Sequence, residues 1–132
     1  MKLVLICSIL VFKLIDCRAQ SIKDLSNMSP DKQFDNIEVK TLSSDSLATS
    51  FIIWIKTSVK LHKHITHSEQ VYILEGYGKM QLGDSTFDIS SGNFIQIPKN
   101  IVHGVEVLSE KPMKVLSIQA PKFEGKDRYF LE

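Results

Sequence analysis

Between residues 50 and 120, turn residues interrupt the chain about every 8 to 12 residues, the rhythm of short strands in a sandwich or barrel, and no stretch carries a helical period. The run Phe51-Ile-Ile-Trp54-Ile55 is β-branched and aromatic, and residues 59–61 continue in that character. Glu75-Gly-Tyr-Gly78 ends one strand and Gly83-Asp-Ser85 separates two more. Ser90-Ser-Gly92-Asn93, Pro98-Lys-Asn100 and Ser109-Glu-Lys-Pro112 close those that follow, and residues 113–120 form the last. Pro98 fixes φ and withholds an N–H, so it belongs at a strand end. The expected fold class is all-β. With 132 residues, 43% of them hydrophobic, there is material for one domain with a core but not for two, and no internal repeat implies a second barrel.

Into this framework the chain sets most of its metal-capable side chains at one place: His62, His64, His67 and Glu69. On a strand, residues i and i+2 point to the same face, so His62 and His64 would project two imidazoles into one space. Imidazole and carboxylate donors suit borderline divalent ions, and without thiolates they do not indicate a closed structural zinc. The remaining histidine, His103, lies in a second strand-like run, residues 94–108, where parity groups it with Val105 and Val107. An imidazole on an apolar face calls for a ligand or a hydrogen bond. The competing reading is that histidines beside Lys63 and Thr66 sit on a solvated strand end. His67 falls in the link between strands, where it is either a further ligand, exposed, or a partner orienting Glu69.

The same residues resemble a known family. His62-x-His64, four residues, Glu69, six residues and Gly76 match the first motif of the cupins; Gly92, five residues, Pro98, four residues and His103 match the second. The resemblance covers residues 48–120. It implies a single cupin jelly-roll β-barrel (a double-stranded β-helix) with His62, His64, Glu69 and His103 as ligands of one divalent ion, of which iron, manganese, nickel and zinc are the candidates. Three positions depart from the pattern: Lys56 and Asn100 replace glycines and Val107 replaces an asparagine. Asn is the residue most tolerant of positive φ after glycine, so Asn100 is a mild change.

Residues 1–19 read as a secretory signal peptide: a basic start, an apolar run broken by Lys13, and Cys17-Arg18-Ala19 placing small residues at −3 and −1 of a cut before Gln20. The alternatives are a retained N-terminal anchor and a lipidated Cys17. Cleavage after Ala19 removes both cysteines and leaves 13 basic and 14 acidic residues, a chain without disulfides that is expected to be secreted or periplasmic and no longer membrane-bound. Neither this balance nor the full chain's net charge of +1 offers a basic field for nucleic acid. Residues 20–47 are polar, with a loosely alternating stretch at 34–42 that is expected to pack as an outer strand or to pair two subunits of a homodimer. The C-terminal extension, residues 121–132, is open to two placements: across the barrel mouth, with Arg128 or Tyr129 near a substrate, or along the exterior, packed through Phe123 and Phe130.

Four protein ligands on a six-coordinate ion leave two adjacent positions for a small molecule, which fits a metal-dependent enzyme acting on a small oxygen-rich substrate (isomerase, lyase or dioxygenase type). The alternative is a non-catalytic module binding a sugar or another small molecule. Catalytic residues are not identified; Tyr72, Tyr77 and His67 are candidates if they reach the cavity, as Gln96 and Gln119 are for substrate contact, and Trp54 either shapes a pocket or is buried.

Overall fold

The computed structural model describes residues 21–131, so the signal-peptide reading of residues 1–19 lies outside the described residues. Ten strands follow in order: β1 Ile37–Ser44, β2 Thr49–Ile55, β3 Ser58–Lys63, β4 Ser68–Glu75, β5 Tyr77–Leu82, β6 Ser85–Ser90, β7 Phe94–Ile97, β8 His103–Val107, β9 Met113–Ala120 and β10 Tyr129–Phe130. No helix occurs among the described residues. The strands form two antiparallel five-stranded sheets, ordered β1-β2-β9-β4-β7 and β10-β3-β8-β5-β6, with the connections of a jelly roll. Each sheet is its own hydrogen-bonded network, and the two pack face to face without a ladder that closes them into a barrel.

Period-two alternation decides what lies between the sheets. Ile73 of β4, Ile97 of β7 and Met113 and Val115 of β9 face Met80 of β5 and Ile89 of β6 in one buried cluster. Turn chemistry holds the ends: Gly76, Gly83 and Gly92 adopt positive φ, and Asn100 does so at φ 65°, in the place of a glycine of the motif. Asn100 also donates its backbone N–H to the His64 carbonyl at 2.6 Å, which ties the β7–β8 loop to the end of β3.

Close approach matters most at Gly78. A Cβ there would lie 2.2 Å from the Glu106 carbonyl oxygen of the paired strand β8. Gly78→Ala is therefore expected to force β5 and β8 apart and to cost about 3 kcal/mol in urea unfolding. An unchanged midpoint would mean that the two strands separate without penalty.

β1 forms one edge of the first sheet, where Ile37 and Val39 stay partly exposed and line the internal cavity. Trp54 is buried against Ser26, Met28 and Pro30 on the outer face of the same sheet, and does not line the cavity. Lys114 is buried beside it, its Nζ donating to the Ser26 carbonyl and pairing with Glu75, each within 2.8 Å.

Candidate metal centre

β3 carries His62 and ends one residue before His64; β8 begins at His103, paired directly opposite His62. Two segments about 40 residues apart in sequence thus enter the barrel side by side, because antiparallel partners at one register position share a face. Ring centroids are 4.2 Å apart for His62 and His103, 5.1 Å for His62 and His64, and 5.3 Å for His64 and His103. One ring nitrogen from each lies within 4.8 Å of the others, in a buried cluster that could hold a metal ion. Glu69 arrives from β4 of the opposite sheet, its Oε2 3.4 Å from both His64 Nε2 and His103 Nε2.

Backbone carbonyls settle which nitrogen faces inward. Nδ1 of His62 lies 2.8 Å from the Lys60 carbonyl, Nδ1 of His103 2.9 Å from that of Ile101, and Nδ1 of His64 2.6 Å from that of Asp127. A carbonyl only accepts, so each Nδ1 carries the proton and each Nε2 presents a lone pair. Nε2 of His64 and of His103 are buried with no hydrogen-bond partner among the described residues. Leaving such groups unsatisfied costs about 1–3 kcal/mol each. Convergent lone pairs beside a carboxylate are a donor set that a divalent cation would satisfy, so these residues fit the implied metal.

Electrostatics act in opposite directions on His62 and His64. Burial pushes His62 down to about 4 against the opposing Lys60 carbonyl, with neighbouring positive charges including Arg128 adding to the effect, so this imidazole is neutral near pH 7. Burial also opposes charge on His64, but the Glu69 carboxylate and the Asp127 carbonyl outweigh it and hold that group above the usual histidine value. Glu69 is desolvated, yet the His103 and His64 rings beside it and the Ser117 hydroxyl that bonds it keep its carboxyl well below the usual carboxylate range. Its Oε1 accepts from the Ser117 hydroxyl and, at 3.4 Å, from the Gln119 amide, which turns Oε2 toward the histidines.

His67 is neither a ligand nor the orienting partner of Glu69, and it is not exposed. It is buried, its Nδ1 2.5 Å from an Asp127 carboxylate oxygen and its Nε2 3.0 Å from the Lys122 carbonyl, so acceptors engage both nitrogens. Asp127, which sequence reasoning passed over, also accepts from the backbone N–H groups of Ile65, Thr66 and His67, each at 2.9 Å. These bonds hold its carboxyl well below the usual range despite burial. It lies about 60 residues from the loop it binds, and no local pattern announces it. Gln119 faces inward beside Glu69, whereas Gln96 is exposed. Tyr72 and Tyr77 are exposed and do not line the cavity.

The C-terminal extension combines both placements expected of it. Phe123 packs edge-on against Phe51 and against the His67 ring, and Tyr129 is exposed. Phe130 stands 5.8 Å from the His62 ring, and Arg128 reaches the cavity. That cavity, about 80 Å³, is walled by Ile53, Val71, Ile95 and other aliphatic side chains, with His62, Glu69 and His103 at one end.

Residues 50–119 match the family described as Cupin domain, which is more than half of the chain. The chain is a cupin. An uncharacterized protein of Methanocaldococcus jannaschii is 36% identical over 81 residues, 61% of this chain and 65% of that protein, so the match spans just under two thirds of that relative's length. An uncharacterized protein of Aquifex aeolicus is 30% identical over 115 residues, 86% of this cupin and 94% of the relative. Among solved structures, KdgF from Halomonas sp. superposes with a TM-score of 0.68 at 17% identity, covering 79% of this chain and 97% of that one. A Streptomyces nucleoside dehydratase, in a variant with uridine, gives a TM-score of 0.68 at 15% identity, covering 86% and 92%. These similarities show the fold, on which many chemistries have been built.

Proposed function

We propose that this cupin binds one divalent ion (iron, manganese, nickel or zinc) through Nε2 of His62, His64 and His103 and Oε2 of Glu69, and acts there on a small oxygen-rich molecule as an isomerase, lyase or dioxygenase. The reading is carried by the buried Nε2 lone pairs of His64 and His103, which converge on a carboxylate oxygen and have no other partner among the described residues. When bound, the ion supplies Lewis acidity and adjacent open positions for substrate oxygens. The chain's own part is to present four donors without rearrangement. Carbonyls of Lys60, Ile101 and Asp127 hold each imidazole in the ligating tautomer, and Ser117 and Gln119 aim Glu69. The aliphatic lining lowers the local dielectric beside the donors, which strengthens charge interactions there.

One observation favours the second reading, a non-catalytic binding module: apart from the proposed ligands and Arg128, no ionisable side chain lines the cavity among the described residues. Elemental analysis of the purified protein tests the metal itself, with about one equivalent expected; a metal-free protein would end the proposal. Iron, manganese or nickel open to solvent supports the enzyme, and zinc enclosed by protein supports the binding module. Glu69→Gln is expected to weaken metal affinity by about tenfold or more, because an amide oxygen is a poorer donor than a carboxylate. Unchanged affinity in a competitive chelator titration would remove Glu69 from the ligand set.

A further inference from the structure

We infer that Arg128 makes the metal cavity selective for a small carboxylate, pairing its guanidinium with the acid group while the ligand's other oxygen faces the histidine cluster. This rests on the metal reading above and adds the class of ligand.

Register places the side chain. β10 runs antiparallel to β3 with Tyr129 opposite Lys63 and Phe130 opposite His62, so Phe130 and His62 share a face. Period two carries that face back from Phe130 to Arg128, and Arg128 does line the cavity together with His62, Glu69 and His103. The backbone on either side is held. Asp127 is bonded to residues 65–67 before it, and Leu131 donates its N–H to the Leu61 carbonyl at 3.2 Å after it. Arg128, an exposed residue, thus borders the cavity on a segment anchored at both ends, which lowers the backbone ordering cost of binding.

Arg128 is the one arginine among the described residues, and it joins none of the ion pairs found there. Lys40, Lys79 and Lys114, by contrast, each have a carboxylate partner at 2.7 Å. Arginine keeps its charge at any physiological pH and matches a carboxylate with two parallel N–H bonds. The charge balance points the same way: Glu69 offsets only half the charge of a divalent ion, the imidazoles are neutral as ligands, and Arg128 adds a further positive charge. A cavity of about 80 Å³ limits the guest to a few non-hydrogen atoms. A short hydroxy acid or oxo acid meets all three conditions.

The test compares glycolate with glycolamide, which keeps the hydroxyl and carbonyl oxygens but lacks the charge. Metal-loaded wild type, Arg128→Gln and Arg128→Lys are titrated by calorimetry after elemental analysis of each. Arg128→Gln is expected to keep its metal, to weaken glycolate by about tenfold or more, and to change glycolamide by no more than about twofold, with Arg128→Lys in between. Equal effects on both probes, no effect on glycolate, no glycolate binding to wild type, or loss of metal from Arg128→Gln would each overturn the inference. A wild type that takes up no metal removes the metal reading as well; metal-loaded protein indifferent to the charge of residue 128 removes this inference alone.

Discussion

His103→Ala is expected to bring bound metal from about one equivalent to background while leaving a folded barrel. His103 is the donor brought in by the second motif, and without it His62, His64 and Glu69 no longer surround a common point. The metal-free fold should change little, because two terms oppose each other. Truncating a buried side chain costs roughly 2–4 kcal/mol in packing and cavity. Removing a buried nitrogen that has no partner among the described residues returns about 1–3 kcal/mol. Metal bound only by the folded state also stabilises in proportion to RT ln(1 + [L]/Kd), so a chelator should lower the melting temperature of wild type and leave that of His103→Ala unchanged. Elemental analysis decides the matter: metal content equal to wild type would show that the cluster is not the binding site.

Asp127→Ala is expected to be the most destabilising change outside the core. One carboxylate accepts from three consecutive backbone N–H groups and from His67, and all of these donors lose their partner at once. Breaking a buried charged network by deleting one member costs about 3–5 kcal/mol, a large part of the 5–15 kcal/mol typical of a domain. The effect should extend to the metal. The Asp127 carbonyl holds Nδ1 of His64, so freeing this backbone loosens a proposed ligand, with about 10–100-fold expected in metal affinity. Asp127→Asn retains one acceptor oxygen and should fall between. A urea midpoint for Asp127→Ala equal to wild type would show that the network does not hold the loop.

The two variants differ in how far the residues could be read beforehand. That His62, His64, Glu69 and His103 come together could be anticipated, because each lies in or beside a strand, where parity groups side chains by face, and because their spacing falls in motifs bounded by Gly76, Gly92 and Pro98. Asn100 was legible for the same local reason, its tolerance of positive φ being a property of one residue. Asp127 was not, and Arg128 was a candidate in only one of two placements. The sequence left the C-terminal extension between two placements, and the structure uses both, with Phe123 packed against Phe51 and Arg128 lining the cavity. His67 was misread because its partner sits in that same segment. Gln96 and Gln119 show the limit of parity: alternation separates two faces of a strand but does not say which one meets the opposite sheet.

Residue order alone established the strands, their turns, the all-β class and the side chains able to hold a metal, because these follow from φ preferences and from side-chain alternation within a few residues. Tertiary structure alone decided that His62 and His103 stand opposite each other, that Nε2 is the inward nitrogen of each cluster histidine, that Asp127 ties down the loop at residues 65–67, and that Arg128 borders the cavity. Each of these depends on which carbonyl, carboxylate or cavity wall arrives from a distant segment, and that depends on how two sheets and a terminal strand pack together.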